Sequence, residues 1–176
     1  MARPDDPFES PEDVSDESED DELVEEDAVS LLTSDHAEVR QMFEEYRQLL
    51  DDNAGDDRRG ELAGQICSAL TVHAEIEEDV FYPALRERLD DELLLDQAEV
   101  EHASVRDLVE QIESMEPDDA LFDARVLVLA EYVEHHAQEE ESEIFPQAEQ
   151  SGIDLDELGA ELAERKHELM VELEDD

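Results

Sequence analysis

Two stretches of the chain repeat one unusual pattern. Residues 73–83 read HAEIEEDVFYP and residues 136–146 read HAQEEESEIFP, so five of eleven positions are identical. In each copy a glutamate follows the opening histidine by four residues. Residues at this spacing lie on the same face of an α-helix, about 6 Å apart along its axis. His73 with Glu77, and His136 with Glu140, are therefore predicted to point at a common site, and two such helices packed face to face would form a metal site.

The spacing of apolar residues predicts helices through the rest of the folded chain. Apolar residues recur every three or four positions over residues 32–50, 62–84, 95–112 and 122–144, which is typical of amphipathic helices, and strand patterns are absent. We therefore predict an all-α, up-down-up-down four-helix bundle over residues 28–150. A short additional C-terminal helix is predicted within residues 151–176, packed on the bundle. The acidic, proline-containing residues 1–27 have little to bury and are predicted to be a disordered tail.

Each of the four apolar stripes contains one histidine. A lone histidine on an apolar face is usually explained by a hydrogen bond in the core, but here four lie at similar depths and two have a glutamate four residues later. Burying these groups without a cation would cost several kcal/mol per uncompensated ion. In the fourth helix the spacing selects His136 and leaves His135 off the core face. We therefore predict a metal site in the bundle core.

The donor types limit the choice of metal. Nitrogen and oxygen donors without thiolate suit iron, manganese or zinc. Six side chains, two of them carboxylates that can bridge, exceed what one tetrahedral zinc needs and suit two metals about 3.5–4 Å apart. We favour two iron ions, each held by two imidazoles and sharing the carboxylates, with manganese or zinc as the alternative cofactors.

The motifs as a set resemble a known family. Asp35–His36, HAEIEEDVFYPAL at residues 73–85, Glu101–His102 and HHAQEEESEIFP at residues 135–146 look like the hemerythrin-like HHE cation-binding domain. The resemblance covers residues 28–150 and implies a four-helix bundle with a non-haem di-iron centre, in which the two glutamates bridge the metals. Carried over residue by residue, it implies these metal ligands: His36, His73, Glu77, His102, His136 and Glu140.

The chain differs in two motifs from the oxygen-carrying hemerythrins, which belong to the family that it resembles. Their third helix carries His-x3-His, whereas the fourth residue after His102 is Arg106. Their fourth helix carries His-x4-Asp, whereas His136 pairs with Glu140. The related proteins that repair iron–sulfur centres carry a cysteine in an N-terminal segment, and residues 1–27 contain none. These departures disfavour reversible oxygen carriage and repair of iron centres.

Two classes of function follow. The first is a metal-binding protein that binds or senses O2, NO, peroxide or iron. The second is a di-iron enzyme, either a ferroxidase or peroxide-consuming protein or an iron-centre repair protein. Ferroxidase-type bundles use about four Glu and two His, and the reversed ratio here favours small-ligand binding. The third hypothesis is a purely structural bundle. It predicts that the protein binds no metal and that its histidines titrate at about pH 6.5, as free histidines do.

The net charge is −47, and it is spread along the whole chain. Residues 1–27 hold 14 acids and one arginine, which leaves 44 acids and 10 basic residues in the remainder. We interpret this surface as an adaptation to molar salt, as in a halophile, where carboxylates maintain solubility. The charge argues against nucleic acid and anionic membrane as partners. No apolar run approaches the roughly 20 residues of a membrane span, so a cytoplasmic location is expected, while the oligomeric state stays open.

Salt is expected to stabilise the protein. The melting temperature should rise between about 0.1 M and about 3 M KCl, because the screening length falls to about 3 Å at 1 M and suppresses repulsion between carboxylates. Thermal unfolding followed by circular dichroism checks this. A melting temperature that stays constant or falls over this range would contradict the halophilic interpretation.

Other polar and aromatic residues are predicted to lie outside the ligand set. His135 is expected to be partly exposed or to support a ligand, His167 to lie on the surface, and Cys67 to be a buried thiol. Four glutamates are expected to be solvated, the first and third being alternative ligands: Glu78, Glu139, Glu141 and Glu143. The tyrosines are expected to be core or rim aromatics: Tyr46, Tyr82 and Tyr132.

Overall fold

The computed structural model describes residues 26–175, and all of its regular structure is helical. The predicted disordered tail lies almost entirely outside the described residues. None of the described helices is long and apolar enough to cross a membrane. The helices are α1 (Ala28–Asp51), α2 (Asp56–Ile76), α3 (Tyr82–Arg86), α4 (Glu92–Glu113), α5 (Phe122–Glu139), α6 (Phe145–Gln150) and α7 (Leu155–Asp175).

Four of these helices form the predicted bundle. Helices α1, α2, α4 and α5 are joined by short connections and pack in a closed ring, each against the next and α5 against α1. The first begins at Asp27, whose side chain accepts a hydrogen bond from the Ser30 N–H at 2.8 Å, a standard N-cap. The prediction of an all-α four-helix bundle is confirmed.

The C-terminal helix is longer than expected. Helix α7 has 21 residues, and Glu174 and Asp175 continue it because neither residue type breaks a helix. It packs along α1 and α2. A Cβ at Gly159 would lie 2.3 Å from the carbonyl oxygen of Glu26, so glycine permits the close approach of α7 to the start of α1.

The apolar core is divided into two clusters by a polar layer. One cluster contains Leu32, Ile76, Phe81 and further residues near α3, α6 and α7. The other contains Phe43 and residues at the opposite end of the bundle. The histidines and glutamates of the repeated motif lie between them, so the polar layer is closed on both sides by packed apolar side chains.

Both prolines of the repeated motif lie inside continuous helical segments. A wide, π-helical turn precedes each of them, at Glu77–Phe81 and at Glu140–Ile144. In these turns the Tyr82 N–H donates to the Glu77 carbonyl and the Phe145 N–H donates to the Glu140 carbonyl, five residues back. Proline clashes with the carbonyl four residues earlier in a regular α-helix, and the wider turn relieves this clash, so the chain continues as α3 and α6.

The single thiol of the chain is expected to be inert in the folded protein. Cys67 is 1% exposed, and burial raises the pKa of its thiol to about 12. At about pH 8 its thiolate fraction is about 10³-fold below that of a free cysteine. Iodoacetamide should therefore label it only after unfolding, as measured by intact-mass spectrometry. Rapid labelling of the native protein would show that this part of the core opens.

Candidate metal centre

The six residues predicted as ligands converge in the polar layer. Each bundle helix supplies one histidine, and each glutamate is the first residue of a π-helical turn. Glu77 and Glu140 are 0% exposed, and the four imidazoles are at most 7% exposed. The structure therefore brings all six predicted side chains together in the core.

The six side chains form two donor groups that share both glutamates. In the first group, His36 Nε2 lies 3.1 Å from Glu140 Oε2, and His73 Nε2 lies 3.0 Å from Glu77 Oε1. The donor atoms of each group lie within 4.8 Å of one another. Each group therefore has the size and composition of a metal site.

The second group uses the other oxygen of each carboxylate. His102 Nε2 lies 3.0 Å from Glu77 Oε2, and His136 Nε2 lies 3.4 Å from Glu140 Oε1. Each glutamate thus directs one oxygen to each group. This is the arrangement in which a carboxylate bridges two metals.

The donor atoms of the first group make no well-aligned hydrogen bond, although His36 Nε2 and His73 Nε2 lie 3.0–3.1 Å from carboxylate oxygens of the same group. These buried atoms are His36 Nε2, His73 Nε2, Glu77 Oε1 and Glu140 Oε2, one from each member of the group. Leaving a buried polar atom unpaired costs about 1–3 kcal/mol. In the second group the Nε2 atoms of His102 and His136 face each other at 2.9 Å. A cation between the donors of each group would satisfy these atoms, so the residues fit a pair of metals.

The outward ring nitrogen of each histidine contacts a carboxylate. The Nδ1 atoms lie 2.6 to 3.1 Å from carboxylate oxygens, in the pairs His36–Glu141, His73–Asp35, His102–Glu78 and His136–Glu101. A carboxylate on Nδ1 orients the imidazole so that Nε2 faces the metal and strengthens it as a ligand. All four imidazoles are therefore prepared for ligation through Nε2.

Each of these carboxylates sits next to one ligand in the sequence but contacts a ligand on a neighbouring helix. Asp35 precedes His36 and contacts His73, while Glu141 follows Glu140 and contacts His36. Together the four contacts link α1 to α2, α2 to α4, α4 to α5 and α5 back to α1 around the bundle. We call these four residues the carboxylate ring.

Two members of the carboxylate ring were missed as functional residues. Glu78 and Glu141 were expected to be solvated, but they are only 27% and 30% exposed. The sequence signal was their position directly after the two shared glutamates, Glu77 and Glu140. They contact Nδ1 atoms and lie outside the two donor groups. Arg106 donates to Glu78 and Arg40 donates to Glu141 at 2.8 Å, which holds both carboxylates in place.

A tyrosine makes the two donor groups unequal. The Tyr82 hydroxyl donates to Glu140 Oε1 and lies 3.3 Å from Glu77 Oε2 and 3.4 Å from His102 Nε2. All three acceptors belong to the second group. The expected core position of Tyr82 is correct, and the structure adds a proton donor beside this one group.

The remaining tyrosines lie away from the donor groups. The Tyr46 hydroxyl donates to Asp123 at 2.6 Å, whereas Tyr132 is 49% exposed. His167 is exposed as predicted. His135 is also exposed, and its Nε2 lies 3.6 Å from Glu101 Oε1, so it contacts the carboxylate ring from outside.

The electrostatics favour a charged His73 imidazole when no metal is bound. Burial alone would lower the pKa of His73, but Glu77 and Asp35 outweigh it and raise that pKa to about 10. Burial opposes ionisation of Glu77, yet the nearby imidazoles hold its pKa well below the usual range. A proton therefore occupies the donor nitrogen of His73 that a metal would need, and metal binding must displace it.

The metal-free protein is expected to lose stability as the pH rises. A histidine with a folded-state pKa of about 10 stabilises fully below its unfolded value of about 6.5 and loses that contribution as the pH approaches about 10. Metal affinity should change in the opposite direction and increase with pH. Thermal unfolding of metal-free and metal-loaded protein between about pH 6.5 and 9.5 checks both trends. A metal-free melting temperature that rises over this interval would contradict the assigned ionisation.

The π-helical turns were also missed, although the sequence carries a signal for them. His73, Glu77, Phe81 and Leu85 are all buried at constant spacings of four residues. A regular α-helix has 3.6 residues per turn, so its buried positions alternate between spacings of three and four. Three successive spacings of four drift by about 120° around a regular α-helix and fit a wider turn better. Such turns are frequent at functional sites, and here each one starts at one of the two shared glutamates.

The comparisons with known proteins agree with this geometry. The family model described as the hemerythrin HHE cation-binding domain matches residues 27–148. A crystal structure of a hemerythrin HHE cation-binding domain-containing protein from Mycobacterium kansasii superposes with a TM-score of 0.68 at 23% identity, covering 82% of this chain and 87% of that one. This likeness supports the fold.

A curated relative has a different described activity. A protein described as a DNA nickase from Nostoc sp. (strain PCC 7120) is 36% identical over 118 residues, which cover 65% of this chain and 31% of that protein. The chain thus matches about a third of the relative's length. The family model spans the four bundle helices and all six donor side chains. The chain belongs to the hemerythrin family of HHE cation-binding domains.

Proposed function

We propose that the protein holds two iron ions in its polar layer and binds a small ligand there. The observation that carries the proposal is the pair of donor groups that share both carboxylates. Imidazole and carboxylate donors without thiolate suit iron. When bound, iron would supply a centre that accepts a small ligand or exchanges an electron. The protein's own residues orient the donors, neutralise their charge and exclude bulk water.

The space beside the donors supports a small ligand. A cavity of about 20 Å³ lies against the four histidines and Asp35, and its remaining walls are apolar side chains, among them Val39, Leu70 and Val105. This volume holds about one water molecule. It therefore suits a ligand the size of O2 or NO, and larger substrates would need the bundle to open.

The donor ratio favours binding over catalysis. Four imidazoles and two carboxylates reverse the ratio of the carboxylate-rich ferroxidase bundles. The DNA nickase activity described for the Nostoc relative is not proposed for this chain, because a net charge of −47 repels the phosphate backbone on which non-specific DNA binding depends.

The experiment that tests the proposal combines metal analysis with spectroscopy. The full chain is purified in molar KCl without a metal-affinity tag, and its metals are counted by mass spectrometry. Absorption spectra are recorded for the ferrous protein before and after exposure to air, and again after addition of NO. We expect about two irons per chain and spectral changes with each ligand.

Three outcomes would revise the proposal. One zinc per chain, or no metal, would contradict the di-iron assignment. Two irons without any spectral response to air or NO would contradict ligand binding. Turnover of ferrous iron or peroxide well above one equivalent per centre would instead establish the enzyme alternative.

A further inference from the structure

A surface groove runs along the outside of the bundle where α7 crosses α1 and α2. It has a volume of about 680 Å³. Its floor is the line of contact between α1 and α2, and its far wall is the C-terminal half of α7, including Met170 and Leu173. Helix α7 lies beyond the residues that the family model matches. The groove therefore lies partly outside the segment that the family model matches.

The groove and the small cavity beside the histidines meet at the same residues. Asp35 and Val39 line both spaces. The groove also touches Ala69 and Val72, whereas the cavity touches Leu70 and His73 on the inner side of the same helix. The two spaces are thus separated by a single layer of side chains at the α1–α2 contact.

An ion pair between α7 and α1 covers this layer on the groove side. Lys166 Nζ donates to Asp35 Oδ1 at 2.5 Å, and Asp35 Oδ2 lies 3.1 Å from His73 Nδ1. Lys166 is the single lysine of the chain. Asp35 is 9% exposed beneath it. Loss of this contact would leave α7 less firmly held at the point where the two spaces come closest.

The rim of the groove is strongly acidic. The exposed carboxylates of Glu38, Glu61 and Glu174 line it. The one ammonium there, that of Lys166, is paired with the buried Asp35. A concave surface lined with charges of one sign repels ions of that sign and lowers their association rate. Uncharged molecules are unaffected by this field. At low salt the rim therefore discriminates between small ligands by charge, and screening at molar salt weakens this effect.

We propose that small ligands reach the polar layer through the α1–α2 contact beneath α7, that the Lys166–Asp35 pair closes this entrance, and that the acidic rim admits uncharged ligands in preference to anions. The inference rests on the proposed function, since it names the entrance and the ligand class of the same centre. The proposal concerns the rates at which small ligands enter and leave the polar layer, and these rates depend on the protein's own side chains.

Stopped-flow measurements on the iron-loaded full chain test the proposal. NO is the uncharged ligand and azide the anion. Ser68 is exposed and lines the groove, so Ser68→Trp should slow NO association and dissociation alike, by at least about fivefold, with little change in Kd. Ser114→Trp, exposed at the end of α4, is the matched control and should leave both rates unchanged.

Three further variants separate the closing contact from the acidic rim. Lys166→Met should speed both entry and exit of NO, whereas Lys166→Arg should keep the parent rates. Glu38→Gln combined with Glu61→Gln should raise the association rate of azide at low salt and leave that of NO unchanged. The rate at which a chelator extracts the metals gives a second readout of the entrance and is expected to fall in Ser68→Trp.

These outcomes distinguish a failure of the proposed entrance from a failure of the proposed function. If the parent protein binds NO but Ser68→Trp and Lys166→Met keep its rates, the entrance is elsewhere and the proposed function stands. If the parent protein holds iron but binds neither NO nor azide, the proposed function fails. If the association rate of azide does not change in the Glu38→Gln, Glu61→Gln variant, the proposed selection by charge is wrong.

Discussion

Replacing Glu77 with alanine is expected to abolish retention of both metals and to lower the free energy of unfolding by about 3–5 kcal/mol, the usual cost of removing one partner from a buried ionic cluster. Glu77 is 0% exposed and supplies one oxygen to His73 and the other to His102, each at 3.0 Å. Its loss removes a donor from each group and leaves buried imidazoles without their counter-charge. Metal content by mass spectrometry and urea unfolding measure the two effects.

The matched control is Glu87→Ala. Glu87 is exposed just after α3 and should affect neither quantity. A Glu77→Ala protein that retains two metals per chain would refute the shared-carboxylate geometry.

A second pair of variants tests the histidines. His136→Ala removes a donor from the second group alone and is expected to reduce the metal content by about half or more. His167→Ala, exposed on α7, is expected to leave it unchanged. Equal metal loss in the two variants would break the assignment of ligands.

Metal loading is expected to raise the melting temperature by about 15–30 °C. A ligand present at about 1,000 times its Kd stabilises the folded state by about 4 kcal/mol per site, so two sites contribute about 8 kcal/mol. In a domain of this size, 1 kcal/mol shifts the melting temperature by about 2–4 °C. The effect is large because the donor groups exist only in the folded bundle, so the unfolded chain competes poorly for the metal.

Calorimetry of the protein before and after chelation measures this shift. The Glu77→Ala protein serves as the control, because chelator should not change its melting temperature. A shift below about 5 °C in the parent protein, together with full metal occupancy, would mean that the unfolded chain binds metal nearly as well as the folded one.

The sequence was sufficient to predict the bundle and the residues that meet in its core. Each bundle helix carries one apolar stripe, and the phase of that stripe separates His136 from His135, which is 66% exposed. Burial follows from this phase because a helix has one fixed period. The assignment of the six residues as metal ligands stays a prediction that the variants above test.

The contacts around the centre were beyond the reach of periodicity. Glu78 and Glu141 lie next to stripe residues and have the polar character of a solvated face. Their contacts with His102 and His36 depend on how neighbouring helices are rotated and spaced, which no single-helix pattern contains. The same reason explains why Lys166, 131 residues from Asp35 along the chain, carried no signal in the sequence.

The wide turns imply that the centre depends on the number of residues in each turn as well as on side-chain identity. The two copies of the motif differ at six of eleven positions but have the same length. Asp79 and Ser142, each exposed inside one wide turn, tolerate substitution on this view. Deleting either residue would return the wide turn to a regular α-helical turn and restore the clash between the proline and the carbonyl four residues before it. Insertions and deletions within these five-residue segments should therefore disrupt the centre far more than substitutions at the same positions do.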